Sequence, residues 1–90
     1  MPRRRSAKAL SADELIDQFI EERPYETGEP RLRPSAVPVW AIIGHWQATG
    51  RDASEVAKDY EVPEVEVRAA LAYYKRHRAA IDARIAANAA

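Results

Sequence analysis

Ninety residues, with 14 basic and 14 acidic side chains and no cysteine, make room for one small domain and exclude a disulfide scaffold or thiolate metal site. The zero net charge is blocky: residues 1–8 carry +4, 9–30 carry −6, 31–51 carry +3, 52–66 carry −5 and 67–90 carry +4, which argues against a generic nucleic-acid coat but leaves basic ends free to act as arms. No run of 18 apolar residues exists, so no membrane span is expected.

Residues 1–9, with Arg3, Arg4, Arg5 and Lys8, lack an apolar pattern and read as a flexible basic arm. Directly after the arm, Asp13, Glu14 and Asp17 stand where a signal peptide needs an unbroken apolar segment, so a leaderless cytoplasmic protein is expected. Residues 10–26 form an N-terminal amphipathic helix and a linker. Ser11 and Glu14 have the spacing of a capping box, and Leu10 staples onto Leu15. Leu15, Ile16, Phe19 and Ile20 share one stripe, and the helix should stop near Glu22, ahead of Pro24.

Pro24, Pro30, Pro34, Pro38 and Gly28 make residues 23–38 an extended loop, with a short strand expected near Ala36–Val37. Pro38 opens a second helix, which Gly50 ends. Its stripe is Val39, Ile42, Ile43 and Trp46, so Trp46 is read as core and Trp40 as partly off the stripe. Gly44 in its middle costs about 1 kcal/mol against alanine and points to close approach by another helix.

Asp52, with Glu55 three residues on, caps a third helix whose buried side is Val56, Ala57 and Tyr60. Glu61 and Val62 make the turn, and Pro63 begins a fourth helix in which no Gly or Pro intervenes. Continuous to Asn88, that helix would be about 39 Å long at about 1.5 Å per residue. Its end would project from so small a domain. The seam of Val67, Leu71, Tyr74, Arg78, Ile81 and Ile85 has coiled-coil spacing, interrupted by Arg78. Leu71, Tyr74, Arg78, Ile81 and Ile85 are therefore the expected homodimer interface. Of the adjacent Tyr73 and Tyr74, only Tyr74 is placed inside; Tyr73 is left for a partner.

The third and fourth helices read as a helix-turn-helix, with small Ala57 at the crossing, Val62 and Val67 in the angle, and Glu61 where a glycine is usual. On pattern alone a DNA reader and a plain helical hairpin both remain open. From Thr27 to Asn88 the chain resembles the VapB-type antitoxin family that carries the domain of unknown function 433. The residues that carry the resemblance are Gly28-Glu29-Pro30-Arg31-Leu32-Arg33-Pro34-Ser35-Ala36-Val37-Pro38-Val39, then Arg68-Ala69-Ala70-Leu71-Ala72-Tyr73-Tyr74, then His77-Arg78-Ala79-Ala80-Ile81-Asp82. The sequence departs from the family pattern at Pro34-Ser35-Ala36, where the family reads G-T-R and supplies an arginine.

The resemblance implies a dimeric helix-turn-helix or winged-helix-like protein, paired with a PIN-like ribonuclease toxin that it inhibits and bound to its own operator DNA. The expected fold is thus all-α: a small helix-turn-helix (winged-helix-like) domain over residues 27–90, with a long C-terminal helix and the N-terminal amphipathic helix. Function is read as that of a type II antitoxin. The other reading keeps the fold and drops DNA: a non-catalytic adaptor or assembly subunit that uses the motif for protein contact only.

For DNA, the candidates are Arg68, Lys75 and Arg76 on the helix and Arg3, Arg4 and Arg5 as an arm. Against it, the first turn of the recognition helix offers Glu64 and Glu66, which phosphates repel, while Glu64 is well placed to pair with Arg68. For the toxin, the candidates are Arg31 and Arg33, whose forks match nuclease carboxylates and which flank an inward Leu32, together with Trp40 and Tyr73. The plain alternatives are surface charge and core packing. The first helix either packs on its own domain, the favoured reading, or docks its apolar face into the toxin. An enzyme is not expected. His45 and His77 sit on different helices, neither with a carboxylate at i+3 or i+4, and no phosphate loop or nucleophile elbow exists, so no catalytic residue, cofactor or metal is assigned.

Overall fold

A computed structural model describes residues 10–22 and 29–89. Along them run α1 (Ala12–Phe19), β1 (Ile20–Glu21), β2 (Arg31–Leu32), α2 (Val39–Ala48), α3 (Ala53–Tyr60), α4 (Glu64–Arg76) and α5 (Arg78–Ala89). The fold is mostly helical, as expected, with one two-stranded antiparallel ribbon. The arm with Arg3, Arg4 and Arg5 lies outside the described residues.

The capping box forms: the Glu14 amide donates to Ser11 Oγ at 3.1 Å and the Ser11 amide to Glu14 Oε1 at 2.9 Å. α1 nevertheless ends at Phe19, earlier than its stripe indicates, because Ile20 turns extended and pairs with Leu32. The ribbon places both side chains in the core, 1% and 0% exposed. Near Ala36–Val37, where a short strand is expected, the chain forms only an isolated antiparallel bridge, Pro38 with Arg31, while the strand proper is Arg31–Leu32. Residues 33–36 fold back beneath it, so that the Leu32 amide donates to the Val37 carbonyl at 2.9 Å.

α1 packs along α4, burying Leu15 and Ile16. Pro38 precedes α2 with extended backbone angles, and Gly50 beyond its end has φ +80. Asp52 caps α3 by accepting from the Glu55 amide at 3.1 Å. Glu61 then takes the left-handed region at φ 58, with Val62 N–H donating to the Ala57 carbonyl and Glu61 N–H to the Lys58 carbonyl. This is the paired closure of a Schellman motif. Glu61, Val62 and Pro63 thus form the turn between α3 and α4.

The continuous C-terminal rod is not there. His77 leaves helical geometry at φ −133, ψ 41, and α5 turns back onto α2. Burying an isoleucine contributes about 1.5–3 kcal/mol, more than the one or two helix hydrogen bonds forgone at about 0.5–1.5 kcal/mol each. Ile81 is 4% exposed and Ile85 is half-buried against the core. Ile85 Cγ1 and Cγ2 lie 3.9 Å from where a Cβ on Gly44 would sit, so the glycine does mark a helix approach. The projecting seam is corrected accordingly: Tyr74 and Ile81 are interior, Ile85 faces α2, Leu71 is half-buried against the core and only Arg78 is exposed.

Three further expectations change. Tyr73 is buried as fully as Tyr74, 6% against 5% exposed, because α4 is covered by α1 and β1 as well as by α2, α3 and α5. Trp46 is only half-buried, not core. And no strand follows α4 among the described residues: α5 stands in the place of a winged-helix hairpin.

Candidate functional site

α4 presents Arg68, Leu71, Ala72 and Lys75 at i, i+3, i+4 and i+7, hence on one stripe. α1 walls this stripe on one side with Ala12 and Leu15, and the end of α2 contributes Trp46 and Arg51. The result is a groove of about 560 Å³. Its floor is apolar: Leu15, Trp46, Leu71, Ala72 and the ring of Tyr74. Its polar lining is Arg51, Arg68, Lys75, Arg76 and Arg78, with no carboxylate among the lining residues.

The cations are held in different ways. Arg51 follows Gly50 in the left-handed region at φ 62, and its amide returns to the Trp46 carbonyl at 2.8 Å. That turn lays its guanidinium over the Trp46 ring, 5.1 Å from the centroid. Arg78 lies likewise over Tyr74 at 4.9 Å. Arg68 meets Glu64 at 3.5 Å across one helical turn, the pairing expected from the sequence. Arg76 reaches Asp13 of α1 at 2.7 Å. Both pairs are solvent-exposed and contribute about 0.2–1 kcal/mol each. Lys75 is exposed and has no partner among the described residues.

The groove gathers residues that the sequence assigned to two purposes. Arg68, Lys75 and Arg76, singled out for DNA, stand beside Leu71, Tyr74 and Arg78, singled out for a second copy. The residues singled out for a toxin do not converge. Arg31 is half-buried and pairs with Glu21 across the ribbon at 3.0 Å, while Arg33 is exposed on the following turn. Trp40 and Tyr73 line a separate depression with His77, Ile81 and Arg84. There His77 stacks on Tyr73 at 4.2 Å and Arg84 pairs with Glu29 at 2.9 Å.

Trp46 and Arg51 escaped the sequence reading as site residues. The signal in the sequence was a basic residue directly after the helix-ending Gly50, where a left-handed turn carries it back over the last aromatic of α2. Glu66 escaped too. It is 5% exposed, its Oε1 has no hydrogen-bond partner among the described residues, and burial raises its pKa above the ordinary glutamate value. It continues the buried stripe of Ala69, Ala70 and Tyr73. His45, read as a surface residue, bonds Asp59 at 2.7 Å and ties α2 to α3. Among the described residues no cluster of His, Asp or Glu is arranged to hold a metal ion.

Residues 26–74 match a family described as "Protein of unknown function (DUF433)". The match covers the ribbon strand β2, α2, α3 and most of α4, and with them Trp46, Arg51, Arg68, Leu71 and Tyr74 of the groove. No curated protein and no solved structure matches the chain.

Proposed function

The chain belongs to the DUF433 family, and on that premise we propose that it is the antitoxin of a type II pair, neutralising a PIN-like ribonuclease toxin by direct binding. The observation that carries the reading is the groove: around a half-exposed Leu71 stand Arg51, Lys75 and Arg78, with no carboxylate partner among the described residues, beside Arg68 and Arg76, which are paired with Glu64 and Asp13. Guanidinium forks match carboxylates, and a ribonuclease of that type works through a carboxylate cluster that holds its metal. The mechanism is stoichiometric, apolar burial supplying affinity and the basic rim supplying orientation. With Arg31 engaged by Glu21, that role passes from the proline-rich loop to α4.

Co-expression with the PIN-like reading frame expected beside its gene tests this. The expected result is relief of toxin-induced growth arrest and a complex that co-elutes. A purified chain that neither binds nor inhibits that nuclease overturns it.

Operator binding is the secondary activity. The turn at Glu61 joins α3 to α4 as the turn of a helix-turn-helix would, and the basic residues 1–8 are the part proposed to meet phosphates. Deleting residues 1–8 should lower the slope of log K against log salt by about 0.9 for each phosphate no longer neutralised. No DNA binding at any salt concentration would leave the adaptor reading, in which the same groove serves protein contact alone.

A further inference from the structure

We infer that the groove along α4 receives an acidic amphipathic helix of the partner protein, its apolar side on Leu71 and Trp46 and its carboxylates on Lys75 and Arg78. The inference rests on the reading of the chain as a protein-binding module and specifies what that module grips.

The chain itself shows the chemistry. α1 is an acidic amphipathic helix, with Asp13, Glu14 and Asp17 beside Leu15 and Ile16. It is held on α4 by burial of that apolar pair and by the Asp13–Arg76 contact. The next strip of α4 offers the same combination, an apolar line with cations at its border, and nothing of the described chain lies on it. From Arg68 to Lys75 the strip is about 10 Å long, two turns of a docked helix with anchors at i, i+3 and i+4.

Other occupants fit less well. A second copy related by a two-fold axis brings the same five cations against themselves. Residues 1–8 carry +4, the groove's own sign. A nucleic acid matches the charge but leaves the apolar Leu71–Ala72 floor uncovered.

The test uses the full chain and a fluorescent 16-residue synthetic helix, leucine at i, i+3, i+4 and i+7 with glutamate between, read by anisotropy. Binding should weaken with salt. Lys75→Glu, an exposed substitution that leaves the circular dichroism melt unchanged, should weaken it about tenfold. A peptide in which only the glutamate facing position 75 is changed to lysine should regain affinity for that variant alone. Leu71→Ser should weaken binding without altering its salt dependence. The inference is overturned by unchanged affinity in Lys75→Glu, by equal binding of a leucine–glutamine peptide, by displacement of the peptide by duplex DNA at equal concentration, or by a dimeric mass that Leu71→Ser converts to monomer. Toxin neutralisation that survives Lys75→Glu sinks the groove and spares the antitoxin reading. Charge-dependent peptide binding without any neutralisation does the reverse.

Discussion

The two flanks of α4 present similar chemistry and meet different fates. On one flank α1 covers the helix, and Leu15 and Ile16 are 9% and 7% exposed. On the other, Leu71 and Ala72 remain half-exposed under a rim of cations. The difference is not in the composition of α4, which sets apolar and basic residues along both. It lies in whether the described residues supply a covering helix. A covered face contributes to stability and an uncovered one contributes little, so the same kind of side chain should matter very differently on the two sides. Ile16→Ala is expected to cost about 2–5 kcal/mol, read as a fall in the urea midpoint. Leu71→Ala should cost less than about 1 kcal/mol. Equal losses would mean that Leu71 is core and the flank is not open.

The next effect sharpens the contrast at the first turn of α4. Glu64 is exposed and paired, whereas Glu66 is buried with an oxygen lacking a partner among the described residues. Desolvation raises the Glu66 pKa above its ordinary value of about 4.5, so the folded state holds this proton more tightly than the unfolded chain does. The contribution of the group is then fully present below the ordinary value and is lost as pH rises through the raised one. Glu66→Gln should therefore be more stable than the parent at pH 7, and the two should converge in acid. A difference independent of pH would show that Glu66 is not desolvated.

Tyr74→Phe probes the corner that brings α5 back. The Tyr74 hydroxyl donates to Asp82 Oδ1 at 2.8 Å and accepts from Gln47 at 3.3 Å, joining α4, α5 and α2. Its removal should cost about 0.5–1.5 kcal/mol, with hydrogen exchange of the α5 amides rising more than that of α4. Uniform acceleration would place the hydroxyl outside the corner.

Local chemistry was legible in the sequence and geometry between elements was not. The Ser11 and Asp52 caps, the Gly50 stop, the turn at Glu61 and the inward Leu32 each follow from residues a few positions apart. The break at His77 does not: positions 74, 78, 81 and 85 keep the same register whether the helix is straight or bent, and neither glycine nor proline marks the place. Tyr73 and Glu66 were misjudged for a related reason. A one-stripe reading assumes a helix covered on one side, and α4 is covered on two. Of the groove, the residues of α4 were named from the sequence but split between DNA and a second copy. Only the placement of α1 and of the α2 end shows that they line one surface.

The smallest expected effect decides whether α5 belongs with the covered elements. Gly44 sits inside α2, where alanine gains about 0.8–1 kcal/mol in helix propensity. A Cβ there would rest 3.9 Å from Ile85, an ordinary contact, so Gly44→Ala should raise the melting temperature by a few degrees, about 0.5–1 kcal/mol. Leucine has the same propensity advantage over glycine, but its further carbons must enter the volume held by Ile85, and such overpacking costs about 1–3 kcal/mol. Gly44→Leu should therefore lower stability while Gly44→Ala raises it. If α5 did not rest on α2, both substitutions would stabilise, Ile81 and Ile85 would return to the exposed surface, and the apolar strip of α4 would lose its standing as the open side of a closed domain. Opposite signs at one position keep α5 closed on α2 and leave the basic strip of α4 as the uncovered side of the described domain.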